Sequence, residues 1–138
     1  MKKKSVLLIL IVSIIMIGTS CKKYTSEDIP INPKAPRLVQ FDLYTDKDFS
    51  HVNNIITFKI SIQKATDEVL WDSVLAPMQI KDIPQLAQKL VVEKYVPGND
   101  PSLLKVGFYY SIENVGNSWH LDSFEPGEIF KIVNFNFQ

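Results

Sequence analysis

The sequence predicts an all-β domain over residues 37–138, folded as one antiparallel β-sandwich of about seven to eight strands. Three observations carry that expectation. Apolar and polar residues alternate with a period of two along several short runs rich in Ile, Val, Phe and Tyr. Gly, Pro, Asn and Asp clusters separate those runs at short intervals. The body contains no long stretch of helical period.

Taken in order, residues 38–45 (LVQFDLYT) place Val39, Phe41 and Leu43 on one face, and the polar loop TDKDFSHVNN follows. Residues 55–63 (IITFKISIQ) are the clearest strand. Ile56, Phe58, Ile60 and Ile62 turn inward, while Thr57, Lys59, Ser61 and Gln63 turn outward, the pattern of an antiparallel sheet with one wet face. A turn at 65–68 leads to a short strand over 69–75. Pro77 and Pro84 punctuate the next segment, where Asp82-Ile83-Pro84 predicts at most two helical turns with Asp82 as N-cap.

Residues 89–96 (KLVVEKYV) are another strand, closed by the turn Pro97-Gly98-Asn99-Asp100-Pro101. Residues 104–112 (LKVGFYYSI) put Leu104, Val106, Phe108, Tyr110 and Ile112 on one face, with Gly107 on the other at a bulge or close backbone approach. Residues 114–117 turn the chain into a strand over 118–122, and Glu125-Pro126-Gly127 turns it into the last strand, 128–137. The arrangement is immunoglobulin-like or transthyretin-like in a loose sense, although the Cys…Trp…Cys signature of true immunoglobulin domains is absent. A small closed barrel is the alternative, and no internal repeat is evident.

The first 21 residues have a different composition. Lys2, Lys3 and Lys4 precede an almost unbroken apolar run from Val6 to Ile17, then Gly18, Thr19, Ser20 and Cys21. A basic region, a short apolar region and a small-residue zone are the layout of a secretory signal. The run falls short of the roughly 20 apolar residues of a transmembrane helix. The small residues before the cysteine make the segment resemble a bacterial lipoprotein signal peptide, with Gly18 where that family usually has a large aliphatic residue. The resemblance implies cleavage before Cys21 and acylation of it. Cys21 is also the only cysteine in the chain, and lipidation explains an otherwise unpaired thiol. Each buried CH₂ contributes about 0.8 kcal/mol, so two or three acyl chains hold a soluble body durably at a membrane.

Cleavage leaves 118 residues, enough for one domain, with 12 basic against 15 acidic side chains. A weakly acidic body excludes nucleic acid as the expected partner, since that needs a clustered basic face. Residues 22–36 (KKYTSEDIPINPKAP) carry Pro30, Pro33 and Pro36, which suits an extended stalk of about 3.1 Å per residue. Glu27 and Asp28 are a short echo of the acidic cluster that directs Bacteroidota lipoproteins to the cell exterior. The expected location is the outer membrane, with the periplasmic or surface face left open.

Catalytic and metal constellations are sparse. His51 and His120 stand far apart, and a zinc site needs three or four ligands at workable spacing. Ser118, His120 and Asp122 alternate along one strand, whereas triad members ordinarily come from separate elements; a polar outer strand face is the expected reading. Asp42, Asp46 and Asp48 offer oxygens to calcium but lack the EF-hand spacing, and loop aspartates usually cap turns. Glu93, Glu113, Asp122, Glu125 and Glu128 leave any hydrolytic carboxylate pair undefined. No catalytic residue, metal or cofactor is therefore expected. Trp71 and Trp119 are the candidate ligand-binding residues, as platforms that stack on sugar rings, against the plainer role of plugging the core or a strand edge. Asp72-Ser73-Val74 matches the loose pattern of Bacteroidota O-glycosylation, which would place a glycan on Ser73.

The stretches LYTDKDFS (43–50), LWDSVLAPMQIKDIP (70–84) and LKVGFYYSIENVGNSW (104–119) resemble a group of small Bacteroidota lipoproteins. That resemblance implies export, lipidation and a β-rich body, and it implies no activity. The expected function is a membrane-anchored, non-enzymatic binding or structural module of the cell envelope, with an envelope protein or a glycan as partner. A carbohydrate-binding accessory module is the first alternative, and a hydrolase with an unrecognised carboxylate site is the second.

Overall fold

A computed structural model describes residues 35–138, so the leader, Cys21 and nearly all of the proline-rich tether lie outside the described residues. The described chain forms β1 (Arg37–Thr45), β2 (Ile55–Lys64), β3 (Val69–Val74), β4 (Met78–Gln79), β5 (Leu90–Val96), β6 (Leu104–Ile112), β7 (Gly116–Phe124) and β8 (Phe130–Phe137). They make two sheets, one ordered β5-β1-β8 and the other β3-β2-β6-β7, with the short β4 paired to the start of β2. The fold is an all-β sandwich, and most of its strands lie within a residue or two of the runs that alternation marks out.

Alternation places the core. Val39, Phe41 and Leu43 from one sheet meet Ile56, Phe58, Ile60, Ile62, Leu104, Val106 and Phe108 from the other, all buried. Each such side chain contributes about 1.5–3 kcal/mol of apolar transfer on burial. The Phe108 ring meets Phe41 and Phe58 edge-on, at centroid distances of 5.8 and 6.4 Å, the geometry that the ring quadrupoles favour. Ile80 and Ile83 close the core where β1 ends.

Four features depart from the sequence expectation. The β1–β8 pairing is parallel, because the 125–129 turn returns the chain to the end where β1 begins. Two single 3₁₀ turns, Ile80–Asp82 and Leu86–Gln88, replace the short helix. Asp82 is the last residue of the first turn, and Gln79 holds the N-cap position without a side-chain bond. Finally, Ser61 and Gln63 point outward as expected yet are buried. Gln63 Nε2 donates to the Tyr109 hydroxyl at 2.8 Å, although the Tyr109 backbone lies opposite Lys59. The tyrosine ring thus runs along the sheet across the intervening Ser61–Gly107 pair and covers it.

The two ends of the sandwich differ. At the Arg37 end, the turns around residues 65–68, 97–103 and 125–129 cluster where the chain enters the domain. Arg37 is buried there, and its guanidinium donates to the carbonyls of Glu125 at 2.7 Å, Glu128 at 2.9 Å, Phe124 at 3.3 Å and Asp100 at 3.5 Å. The cation also sits 3.9 Å from the centre of the Phe124 ring. One side chain therefore fastens the first strand to two turns. The opposite end carries the 46–54 loop, the 75–88 segment and the 113–115 hairpin turn.

Candidate functional site

The outer face of the five-stranded sheet is built from three registers. Lys59 lies opposite both Val74 and Tyr109, and Tyr109 lies opposite Trp119, so these four form one row across β3, β2, β6 and β7. The neighbouring row towards the hairpin is Thr57, Ser111 and Asn117. Turn geometry sets this register: Ile112 pairs with Gly116 across residues 113–115, with Asn114 at φ 61° and Gly116 at φ 137°. Phe108 belongs to the core, so Tyr109 and its partner Trp119 must face out.

Trp119 is 67% exposed. Beside it lies a shallow hollow of about 300 Å³, lined by Lys59, Tyr109, Thr57, Ser111 and Asn117 among others. The Lys59 ammonium stands 4.9 Å from the centre of the Tyr109 ring. An indole, a phenol, hydroxyls and an amide on one accessible face combine an apolar platform with directional hydrogen-bonding groups. Beneath Tyr109, the Ser61 hydroxyl is the one buried side-chain polar atom without a partner among the described residues.

Trp71 has a different setting. It is half-buried on the core-facing side of β3, 6.3 Å from the Phe41 ring, with Lys94 Nζ 5.2 Å from its own ring centre. It borders a larger cleft of about 600 Å³ with Leu70, Lys94, Tyr95, Asn99 and Asp100. Size alone does not make that cleft the better site, since Phe41 and Lys94 already occupy the indole's surroundings. Trp71 plugs the gap between the two sheets. Asp100 is the single carboxylate lining the cleft, and it accepts from the Ser102 N–H at 2.8 Å. The Ser102 hydroxyl first and its backbone N–H second, helped by the Lys64 and Arg37 charges, hold the Asp100 carboxyl below its ordinary range.

Ser118, His120 and Asp122 do not form the polar outer face expected from the sequence. Their partners Tyr110, Phe108 and Val106 are core-facing, so these three point to the inner side of β7, at the rim of the sandwich. His120 packs 5.3 Å from Phe135 and lies 3.8 Å from Asp122, with no hydrogen bond to Ser118. The reason is positional: β7 is an edge strand, so inward polar groups there still reach water.

The other edges are guarded as well. Lys94 on β5 and Lys131 on β8 flank Val39 in a core-facing row, and β3 carries a register irregularity where it passes Ile62 and Gln63. Inward charges and bulges blunt edge strands against pairing with another chain. Strand addition at these edges is disfavoured.

The remaining candidates are dispersed. Asp42 is buried, accepting from Gln40 at 2.9 Å and pairing with Lys89. Asp48 accepts from the Ser50 N–H at 2.9 Å, chiefly the bond that holds its carboxyl below the ordinary range, and the Asp46 N–H donates to Asn136. Glu128 accepts from the Glu125 N–H within one turn, Glu113 sits in the hairpin at the opposite end, and Glu93 lies on the other sheet. Among the described residues, no group of three or more His, Cys, Asp or Glu side chains is placed to hold a metal. Ser73 is half-buried opposite Ile60.

No protein-family model, curated protein or solved structure matches the chain. The fold and the face define an all-β sandwich that exposes an aromatic and polar sheet surface. Alternation in the sequence turns Lys59 and Tyr109 outward but does not bring them into one row with Trp119. Counting register outward from a three-residue turn at 113–115 is the signal that finds them.

Proposed function

We propose that this protein is an outer-membrane lipoprotein of the cell envelope, anchored through acyl chains on Cys21, whose sandwich is a non-catalytic module that binds a glycan. The observation that carries the ligand class is Trp119, two-thirds exposed beside Tyr109 amid hydroxyl and amide groups. A sugar ring presents apolar C–H faces and a rim of hydroxyls, which an indole and short polar side chains complement. The leader and the lone cysteine support the anchor.

A second reading, an envelope-protein partner, draws on the outer face of the other sheet. Tyr95, Leu38 and Phe130 form a row there, and Val91 and Ile132 are exposed on the same face. Retention of the full-length protein on an immobilised oligosaccharide panel, compared with Trp119→Ala, separates the two. Retention lost in the variant supports the glycan. Equal retention, or none for either protein, contradicts it. Mass measurement and membrane fractionation of wild type and Cys21→Ala test the anchor, and acyl mass on the wild type alone is the expected result.

A further inference from the structure

The charge on the candidate face narrows the ligand, and this step rests on the glycan reading. Two lysines belong to the face, Lys59 and Lys105. Lys105 is paired with Asp67 at 2.9 Å. Lys59 has no carboxylate within ion-pair distance among the described residues. Asp72, the carboxylate one row away opposite Ser61, does not reach it. The Lys59 ammonium instead lies 4.9 Å from the centre of the Tyr109 ring, and Tyr109 stands between Lys59 and Trp119 in the row.

Lys59, a half-buried residue in the same row as an exposed indole, is a cation with no carboxylate paired to it among the described residues. A cation–π contact at such a site is weaker than a charge-assisted hydrogen bond to an anion. Lys59 and Trp119 stand on strands two apart, so their backbones are separated by about 9–10 Å. Both side chains line the same hollow on either side of Tyr109, so a single sugar unit lying over the tyrosine can set its ring against the indole and its acidic group at the ammonium. Thr57, Ser111 and Asn117 lie alongside to meet its hydroxyls.

We propose that the face recognises an anionic saccharide, with Trp119 stacked on the ring and Lys59 binding its carboxylate or sulfate. The test is calorimetric titration of the detergent-solubilised full-length protein with oligogalacturonate, with sulfated chondroitin oligosaccharide, and with neutral cello- and xylo-oligosaccharides. Near-ultraviolet circular dichroism checks each variant for native packing.

The acidic ligands are expected to bind about tenfold or more tightly than the neutral ones. Lys59→Gln is expected to erase that preference, Lys59→Arg to keep it, and Trp119→Ala to abolish all saccharide binding. Which acidic ligand binds distinguishes carboxylate from sulfate. Trp119-dependent binding without an acidic preference, or a preference that survives Lys59→Gln, overturns the role of Lys59 and leaves the glycan reading standing. No Trp119-dependent saccharide binding overturns both.

Discussion

Replacing Arg37 with Met tests how the domain holds the end at which the chain enters it. Met keeps most of the stem's packing and removes every donor. The two short bonds, 2.7 Å to Glu125 and 2.9 Å to Glu128, are each worth about 1.5–3 kcal/mol as hydrogen bonds from a charged group. The Phe124 ring adds about 1 kcal/mol, and the contacts at 3.3 and 3.5 Å add little. Relieving the desolvation of a buried guanidinium, and letting water reach the freed carbonyls, offsets part of the sum. The expected net loss is about 2–4 kcal/mol, or about 10–25 °C in Tm for a domain of this size.

Urea unfolding followed by tryptophan fluorescence measures it. Arg37→Lys keeps the charge but not the planar fork, and should fall between wild type and Met. Trp119 lies on the half of β7 nearer the hairpin, away from this clamp, so a folded Arg37 variant should bind saccharide as wild type does. A loss below about 1 kcal/mol with an unchanged m-value would refute the clamp.

Three further outcomes follow from the geometry. An Ala Cβ at Gly107 would stand 2.0 Å from the His120 carbonyl oxygen and 2.9 Å from the Leu121 Cα, both backbone atoms that no rotamer change can move. Gly107→Ala should therefore cost at least about 2–3 kcal/mol in urea unfolding and weaken binding through β7. The folded-state carboxyls of Asp48 and Asp100 lie below their unfolded values, so the stability they add is complete above the unfolded carboxylate range, about pH 4, and is lost as pH falls through the folded values. Carbon-13 titration should show both midpoints low, and Asp100→Asn should flatten the acid limb of stability against pH. Lys94→Val combined with Lys131→Val removes two inward edge charges, and light scattering should show a higher mass than wild type at equal concentration; an unchanged mass would contradict the guarding role.

The strands were legible because alternation is a local signal. β2 shows it best: Ile56, Phe58, Ile60 and Ile62 are all buried, as their spacing requires. Features that depend on distant partners were not legible. The parallel β1–β8 pairing joins the first and last strands, and no local pattern states which way they run relative to each other. The burial of Ser61 and Gln63 depends on a tyrosine more than 40 residues away. In Ser118-Trp119-His120-Leu121-Asp122, the apolar residues read as the inner set, yet the structure inverts them. The register with β6 fixes the facing, and on an edge strand hydrophobicity is a weak guide to which side is buried. Of the two tryptophans, alternation could not say which was the plug. Trp71 sits opposite core-facing Ile62, and Trp119 opposite outward-facing Tyr109.

The chain's two tryptophans make the central claim directly measurable, since nitrogen-15 labelling gives one indole N–H resonance for each. Titrating the full-length protein with oligosaccharide and following both signals reads each candidate separately, and Trp119→Ala assigns them. The account predicts that the Trp119 signal shifts in a saturable way while that of Trp71 stays in place. A shift at Trp71 alone, or saturable binding that moves neither signal, would contradict it.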